Sequence, residues 1–304
     1  MGRFLIVVNP TARRGNGARS MPAIRQALRH LGADFELVQT ERPGHAIEIG
    51  RQAARGDYEV VAVAGGDGTA NEVANGLIQA AGPGPTTVPL GLIPVGSGND
   101  FAYMVLGADL SIAEACQRLV RGQDRLMDVG LTTADGGHTR YFVNAFGAGL
   151  DAQVNIETRQ VRWLHGFPMY ATAIFRALFL HYQISPVTIN CDGQPYTQDL
   201  LLVSIAVGRR LGGGFLLTPF AIPDDGLLDV CIAGDVSRLA ALPVIPRLLN
   251  GSHVTHPKCT MLRGGRVTVS SPVPLPSHLD GEVYVTAGQH FEIVSQPARL
   301  WVRG

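Results

Sequence analysis

Three polar, glycine-rich segments in the first third of the chain carry residue types that bind phosphate groups. The longest, Gly-Gly-Asp-Gly-Thr-Ala-Asn-Glu at residues 65–72, follows an apolar run. Glycine lets the backbone approach a phosphate closely, and a helix N-terminus offers free N–H groups and the positive end of its dipole. A helix cap alone would explain Asp67 but not the three glycines around it, so the run favours phosphate binding.

Two further segments repeat this chemistry. Pro94–Asp100 contains Ser97 and Asn99, which can donate to phosphate oxygens, and it ends in a carboxylate suited to a metal ion or its water. Asn9–Gly17 adds two arginines, which supply positive charge to a phosphate. Three such loops make a nucleoside triphosphate the leading candidate ligand.

The elements before about residue 123 place these loops together. Short apolar runs alternate there with helical patterns, which predicts a doubly wound α/β domain with a parallel sheet buried on both faces. Ligands of such sheets bind beyond the carboxyl ends of the strands, where the three loops and Thr40 fall. The predicted strands are Phe4–Val8, Phe35–Val38, Val60–Ala64 and Leu90–Ile93. The predicted helices are Ala18–Leu31, Ala46–Arg55, Thr69–Ala81 and one that begins near Asn99.

After residue 124 the pattern changes to short strands separated by Gly, Pro and Asp turns, which predicts an antiparallel β-sandwich. The predicted strands are Arg140–Ala145, Leu200–Ala206, Leu228–Ile232, Val267–Ser270, Glu282–Thr286 and Phe291–Val294. Helices are expected only near Phe167–His181, as a buried or half-buried helix rather than a membrane-docking face, and Val236–Leu249. We expect domains at residues 1–123 and 124–295, with residues 296–304 returning to the first domain as a strand.

Composition excludes several classes of protein. Of the 25 basic residues among the 304, only Lys258 is lysine, so no lysine follows a glycine loop and Walker-A ATPases and protein kinases are excluded. The 25 acidic residues cancel the basic ones, which argues against a nucleic-acid partner. The 4 cysteines are scattered, which favours a reducing compartment and predicts a cytoplasmic protein.

Two other motifs lead to weaker expectations. Gly147–Ala152 fits a dinucleotide fingerprint, but it lies among strands and no following helix with a distant acidic partner is evident, so a Rossmann site is not expected. His253 and His256 have no third ligand nearby in the sequence and are interpreted as solvated loop residues rather than a zinc site.

The ordered set of motifs resembles the diacylglycerol-kinase-like lipid kinase family, which includes sphingosine and ceramide kinases. The resemblance extends over nearly the whole chain and includes Ser97 where the family has Thr. The matching segments are Asn9-Pro10, Gly65–Glu72, Pro94–Asp100, Gly147–Ala152, Gly212–Gly214, Asp224–Asp229 and Leu279–Glu282.

This resemblance implies transfer of the γ-phosphoryl group of ATP to a lipid hydroxyl, in a cleft between two domains, with Mg²⁺ as cofactor. Glu282 would be the general base, with Asp280 beside it. Asp67, Asp100 and Asp128 would surround the catalytic Mg²⁺, and a second, structural Mg²⁺ would bind Asp225 and the carbonyls of Ile222 and Leu227. The residues expected to bind the nucleotide are Asn9, Pro10, Thr11, Arg13, Arg14, Thr40, Gly65, Gly66, Asp67, Gly68, Thr69, Ala70, Asn71, Glu72, Gly96, Ser97, Gly98 and Asn99.

Diacylglycerol is the expected acceptor, giving phosphatidic acid at a membrane surface that the protein contacts transiently. The alternatives are a NAD kinase, whose GGDGT loop is similar, and a nucleotide- or lipid-binding relative without turnover. The Ser97 loop and the Leu279–Glu282 run favour the lipid kinase over the NAD kinase, and the full set of carboxylates argues against loss of turnover. The sequence leaves open whether the chain forms a homodimer.

Overall fold

The computed structural model describes residues 2–161, 164 and 167–304. The chain forms two compact units. Unit 1 comprises Met1–Asp128 and Ala298–Gly304, and unit 2 comprises Val129–Pro297. The chain passes from unit 1 to unit 2 a few residues after Gln123, the boundary expected from the sequence.

Unit 1 is an α/β domain built on a parallel sheet, as the alternating pattern predicts. The strands are β1 (Arg3–Val8), β2 (Asp34–Gln39), β3 (Tyr58–Gly65) and β4 (Leu90–Pro94). They run in the order β2, β1, β3, β4, and every pair is parallel. The helices are α1 (Ala12–His30), α2 (His45–Ala53), α3 (Asp67–Ala81), α4 (Asp100–Leu106) and α5 (Ile112–Arg121).

Burial explains why the strands of unit 1 are apolar along most of their length. Ile6 in β1 pairs with Ala62 in β3, and both side chains are fully buried. One face of the sheet packs against Ile24 and Leu28 of α1 and Leu119 of α5. The polar loops begin where these buried runs end, so the same burial that fixes the strands places the loops at one edge of the sheet.

The C-terminal segment of the chain is anchored in unit 1. Val302 pairs in parallel with Leu90 of β4. The Arg303 guanidinium binds both carboxylate oxygens of Asp124, at 2.6 and 2.8 Å, and Glu59 at 2.6 Å. This hydrogen bond from Arg303 is the main reason that the pKa of Glu59 lies below its usual value.

Unit 2 is a β-rich sandwich of antiparallel strands. The strands are β5 (Asp124–Ala134), β6 (Thr139–Phe142), β7 (Ala145–Gly149), β8 (Ser185–Cys191), β9 (Gln194–Ala206), β10 (Leu228–Gly234), β11 (Cys259–Gly264), β12 (Arg266–Leu279) and β13 (Glu282–Arg303). Strand β5 begins in unit 1 and β13 ends there. The strands run in the order β11, β10, β9, β7, β12, β13, while β8 pairs with both β9 and β12, and β6 pairs with β5. The helices are α6 (Leu150–Thr158), α7 (Phe167–Leu180) and α8 (Arg238–Ala241).

Three sequence predictions about unit 2 are wrong. The single strand predicted at Arg140–Ala145 is interrupted between β6 and β7, where backbone N–H groups bind a carboxylate instead of a neighbouring strand. The helix predicted at Val236–Leu249 is broken into α8 and a 3₁₀ turn, because Pro243 and Pro246 cannot donate helical hydrogen bonds. A helix, α6, does follow Gly149, where none is evident from the sequence.

Helix α7 has one buried side and some exposed apolar residues. Ala173 and Ala177 are fully buried, whereas the side chains of Phe175 and Leu180 are 55% and 61% exposed. Among the described residues, no helix combines the length and the apolar character that crossing a bilayer requires.

Candidate active site

The loops that follow β3 and β4 touch each other through glycine. A Cβ atom on Gly96 would lie 2.4 Å from the Cα of Gly66, so neither position has room for a side chain without a shift. The Val95 N–H also donates to the Gly65 carbonyl at 3.1 Å. Gly66 is the N-cap of α3 and provides no side-chain cap, which leaves the first N–H groups of that helix without this kind of partner.

The loop after β1 is tied to the same edge. The Asn9 side-chain amide donates to the Thr69 hydroxyl at 2.9 Å, and the Asn9 carboxamide oxygen accepts the Thr11 N–H and hydroxyl. The Asn16 side chain donates to the Val95 carbonyl at 3.3 Å. A Cβ on Gly17 would lie 1.8 Å from the Asn9 carbonyl oxygen, so this glycine allows the start of α1 to pack on the loop.

The two arginines of this loop are exposed. Arg13 and Arg14 have φ values of 44° and 55°, followed by Gly15 at 85°, so the backbone turns before the regular part of α1. Left-handed conformations of this kind are uncommon for residues other than glycine. The loop after β1 therefore carries two exposed arginines, a residue type that binds polyanions.

Asn99 closes the loop after β4, and Asp67 links that segment to the start of α3. Asn99 has a φ of 56°, and its side chain accepts from the Gly96 N–H and donates to the Gly96 carbonyl. The Asp67 carboxylate accepts the Phe101 N–H at 2.9 Å, and Phe101 directly follows Asp100 at the start of α4. The first residues of α3 and α4 are thereby linked. Ser97 and Gly98 lie in the loop between β4 and α4.

The remaining predicted nucleotide ligands of unit 1 support this edge in different ways. The Thr40 N–H donates to the Val8 carbonyl, which places Thr40 directly beyond the end of β2. The Glu72 carboxylate accepts the Gly44 N–H at 3.0 Å and holds the loop after β2. Asn71 is buried, and its side-chain and backbone oxygens both accept from Asn75. Pro10 uses its carbonyl to accept the Ala18 N–H, and Gly68 and Ala70 lie within the first turns of α3.

In unit 2, Asp280 is part of the turn between β12 and β13 and is fully engaged. Asp280 and Gly281 have φ values of 48° and 84°, and Leu279 pairs with Glu282, which defines a two-residue type I′ hairpin turn. The buried Asp280 carboxylate accepts the N–H groups of three consecutive residues at 2.8 to 2.9 Å. These residues are Val143, Asn144 and Ala145. The contacts give Asp280 the role of anchoring the turn to the β6–β7 connection.

Glu282 follows the same turn but is differently placed. Its side chain is 52% exposed, and its carboxylate forms an ion pair with Arg159 at 2.6 Å. Exposed pairs of this kind contribute little to stability, so the carboxylate can exchange this partner for another at low cost. Asp280 is buried, so Glu282 has the more exposed carboxylate of the two acids at this turn.

The residues behind this turn come from a motif whose role the sequence analysis did not assign. Gly147 in β7 pairs with His278 in β12, and a Cβ on Gly147 would lie 2.3 Å from both the Asp151 carboxylate and His278 Nε2. His278 Nε2 lies 3.3 Å from Asp151, and His278 Nδ1 accepts the Gly281 N–H at 3.3 Å. The Gly147–Ala152 segment thus supports the turn that carries Glu282.

The end of α6 positions Arg159. The Glu157 carboxylate is buried and binds Arg176 Nε at 2.6 Å and His181 Nε2 at 3.0 Å. Arg176 lies in α7, and His181 is the residue that follows this helix. Glu157 lies two residues before Arg159, so its contacts fix the last turn of α6. The Arg159 guanidinium, which follows that turn, pairs with Glu282. No local sequence pattern predicts this network, because its members are far apart in the chain.

The predicted catalytic magnesium ligands do not form one compact group. Among the described residues, Asp67, Asp100 and Asp128 are not a set whose carboxylate oxygens all lie within 4.8 Å of one another. Asp128 is buried and accepts the Ala298 N–H at 2.8 Å. Asp67 and Asp100 start neighbouring helices. One or two carboxylates together with phosphate oxygens are a usual Mg²⁺ environment, so the three aspartates need not all be ligands.

The Asp224–Asp229 segment does not fit its predicted structural magnesium. Asp225 accepts the Leu227 N–H at 3.0 Å with one oxygen, and its other oxygen pairs with Arg263. A cation bound to Asp225, with the carbonyls of Ile222 and Leu227, would have to displace this guanidinium. Arg263 Nε also lies 3.5 Å from the Asp229 carboxylate. Burial raises the pKa of Asp229 to about 6. The contacts of Asp225 therefore do not support a magnesium ion at this position.

Comparison with known proteins gives matches along the whole chain. The family pattern described as "Diacylglycerol kinase catalytic domain" matches residues 3–132, and "YegS C-terminal NAD kinase beta sandwich-like domain" matches residues 144–302. The diacylglycerol kinase of Staphylococcus carnosus is 29% identical over 301 residues, covering 96% of this chain and 94% of that protein. The diacylglycerol kinase of Mycobacterium tuberculosis strain H37Rv is 30% identical over 274 residues, covering 90% and 86%.

Solved structures share the fold. One described as a diacylglycerol kinase from Bacillus anthracis has a TM-score of 0.72 at 22% identity and covers 99% of this chain and 96% of its own. A second Bacillus anthracis structure has a TM-score of 0.78 at 23% identity, with the same coverage of both chains. The two family patterns and the relatives agree with the ordered motifs, and the chain belongs to the diacylglycerol-kinase-like lipid kinase family.

Proposed function

We propose that this lipid kinase transfers the γ-phosphoryl group of ATP to the free hydroxyl of diacylglycerol, giving phosphatidic acid and ADP. The observation that carries this proposal is the contrast within the β12–β13 turn. Asp280 uses its carboxylate on three N–H groups, whereas Glu282 keeps a half-exposed carboxylate whose partner is an exposed arginine. Glu282 is therefore proposed as the general base.

The loops at the carboxyl ends of β1, β3 and β4 are proposed to bind the nucleotide. The contact between Gly66 and Gly96 leaves backbone rather than side chains at their surface, as close approach of a phosphate requires. The exposed Arg13 and Arg14 supply the charge that lysine provides in other nucleotide sites. Asp67 and Asp100 would hold Mg²⁺, which when bound neutralises charge on the phosphate oxygens.

In the proposed reaction, the oxygen of the acceptor hydroxyl bonds to the γ-phosphorus, and the Glu282 carboxylate takes the proton of that hydroxyl. The bond between that phosphorus and the bridging oxygen breaks, and ADP leaves with the bonding electrons. An alcohol is a weak nucleophile, and a positioned base contributes about 10² to 10⁴ in rate. The ion pair with Arg159 would orient the carboxylate until the hydroxyl arrives.

Diacylglycerol is proposed as acceptor because the relatives from Staphylococcus carnosus and Mycobacterium tuberculosis are named diacylglycerol kinase. Since diacylglycerol resides in bilayers, the reaction would occur at a membrane surface, and the exposed Phe175 and Leu180 are consistent with such contact. Other lipid alcohols share the reacting group, so the acceptor must be tested against them.

The test is phosphoryl transfer from labelled ATP with Mg²⁺ to a panel of acceptors in mixed micelles. The panel contains diacylglycerol, monoacylglycerol, ceramide, sphingosine and NAD. We expect phosphatidic acid to form fastest, and Glu282→Gln to lower kcat by at least about 100-fold while ATP binding is retained. The matched control is Glu292→Gln, on the same strand and also paired with an arginine, which should keep full activity.

Each part of the proposal has its own contradicting result. Transfer to another acceptor of the panel in preference to diacylglycerol would overturn the substrate, and full turnover by Glu282→Gln would overturn the base. Absence of transfer to any acceptor by a chain that binds ATP would favour the relative without turnover.

A further inference from the structure

The connection between β10 and β11 brings together two cysteines and a histidine that the kinase reaction does not use. Cys231 lies in β10, Cys259 begins β11, and His253 lies in a 3₁₀ turn between them at Ser252–Thr255. Cys231 and His253 are buried, and Cys259 is half-buried. The sequence analysis interpreted His253 as a solvated loop residue, and the structure shows that this is wrong.

The strand register aims both thiols to the same side. Cys231 pairs with Met261, and Cys259 is two residues before Met261 on the same strand. Residues two apart on a strand share a face, so the cysteines are diagonal neighbours. Their sulfur atoms lie 3.9 Å apart, well beyond the length of about 2.05 Å of a disulfide bond.

The spacing of these atoms is that of ligands around one tetrahedral ion. With a zinc–sulfur distance of about 2.3 Å, two sulfur ligands of tetrahedral zinc are about 3.8 Å apart. One ligand atom from each of the three side chains can be chosen so that all lie within 4.8 Å of one another. In the described part of the chain, this is the only three-membered group of His, Cys, Asp and Glu that meets this limit.

The imidazole of His253 contacts the thiols through Nε2. This atom lies 3.7 Å from the Cys231 sulfur and 3.1 Å from the Leu217 carbonyl, so an ion bound between the side chains would replace that carbonyl as the partner of Nε2. Nδ1 is buried and has no hydrogen-bond partner among the described residues. Two cysteine sulfurs and one imidazole nitrogen are ligands that zinc commonly takes in proteins.

The turn that carries His253 is fixed independently of any ion. Gly251 has a φ of 76°, and a Cβ there would lie 2.8 Å from Pro219. The Asn250 side chain accepts the Ser252 N–H at 3.0 Å. The Cys259 N–H donates to the His256 carbonyl at 2.9 Å, which closes the end of the connection. The three side chains therefore converge on a backbone that already has the required shape.

We propose that Cys231, His253 and Cys259 bind a thiophilic divalent cation, Zn²⁺, through two thiolates and one imidazole nitrogen. Both thiols lose their protons on binding, and water reaching the half-exposed Cys259 completes the four ligands. The ion would join the β10–β11 connection to the sheet of unit 2. This site is separate from the residues proposed for phosphoryl transfer.

The test uses the full chain, produced with added zinc and purified with a phosphine reductant. Bound metal is counted by mass spectrometry after gel filtration, and Co²⁺ is titrated into metal-free protein to detect thiolate charge-transfer absorption. We expect about one zinc per chain and thiolate bands with Co²⁺. Cys259→Ala and His253→Gln should lower bound zinc at least about tenfold. The matched control Cys191→Ala, a buried thiol of the same unit outside the cluster, should keep it.

Thermal unfolding of the parent chain with and without a chelator tests for the ion even if the buried variants fold poorly. A strong chelator should lower the Tm of the parent chain and leave that of Cys259→Ala, which removes the least buried ligand, unchanged. Less than about a tenth of a zinc per chain, equal zinc in Cys259→Ala and the parent, or a Cys231–Cys259 disulfide in zinc-supplemented reduced protein would each overturn it.

Discussion

The loops of unit 1 and the acidic turn of unit 2 are fixed in position by different kinds of contact. In unit 1, glycine backbones meet at Gly66 and Gly96. In unit 2, the turn at Asp280 is fixed by a buried carboxylate and a histidine behind it. Loops built from backbone leave room for a ligand, whereas a turn anchored by side chains points one acid in a defined direction. The two regions should therefore fail differently when they are changed.

The largest effect is expected from Asp280→Ala. This change leaves three N–H groups at Val143, Asn144 and Ala145 without their acceptor, in a buried place. Hydrogen bonds to charged groups contribute about 1.5–3 kcal/mol each, so we expect a loss of at least about 3 kcal/mol in the free energy of unfolding. Urea unfolding followed by circular dichroism measures this loss.

The neighbouring acid is the control for Asp280. Glu282→Gln should keep the free energy of unfolding within about 0.5 kcal/mol of the parent, because its ion pair is exposed. If Asp280→Ala were as stable as Glu282→Gln, the anchoring role of Asp280 would be wrong.

The matching change in unit 1 is Gly96→Ala. Its Cβ would lie 2.4 Å from the Gly66 Cα, so the loops after β3 and β4 must separate. We expect ATP affinity to fall at least about tenfold, since loss of a single hydrogen bond to a charged phosphate costs about 1.5–3 kcal/mol. Isothermal calorimetry measures the affinity.

Gly84→Ala is a matched control, because nothing lies within 4 Å of a Cβ at that position. Unchanged ATP binding by Gly96→Ala, with Gly84→Ala also unchanged, would show that the contact between the two loops is not needed for the nucleotide.

A smaller effect is expected from the buried Asp229 of unit 2. Burial raises its pKa to about 6, so the folded chain resists losing this proton while the unfolded chain releases it near pH 4. The protonated form therefore favours folding below about pH 4, and this contribution, about 3 kcal/mol, is lost as the pH rises to about 6.

Asp229→Asn removes this titration and should be more stable relative to the parent at pH 7 than at pH 4. The urea midpoint of both chains across this range measures the difference. A parent and variant whose midpoints change in parallel from pH 4 to pH 7 would contradict the raised pKa.

The sequence predicted the parts of the molecule that depend on local pattern. The four parallel strands of unit 1 lie within a few residues of their predicted ends, because buried strands are apolar and their loops begin abruptly. The β12–β13 turn was predictable from Asp280-Gly281, since both positions need a positive φ.

What could not be predicted depends on contacts between residues far apart in the chain. Asp280 binds N–H groups at Val143–Ala145, and these contacts interrupt a strand that looks continuous in the sequence. Arg263 pairs with the Asp225 carboxylate, which the sequence analysis expected to bind magnesium. The cysteines near His253 are distant from it in sequence or separated by a turn, so only the register of β10 and β11 brings the three together.

The smallest effect on stability is expected at Arg159, the partner of Glu282. Both side chains of this pair are more than half exposed, so Arg159→Ala should change the free energy of unfolding by less than about 0.5 kcal/mol. If the guanidinium orients the base, kcat should nevertheless fall by about three- to tenfold with KM for ATP unchanged, and Arg159→Lys should restore part of it. Steady-state kinetics of the three chains measures this. A kcat equal to that of the parent would leave Glu282 positioned by the hairpin turn alone, whereas a fall as large as that of Glu282→Gln would mean that the two residues act as one unit.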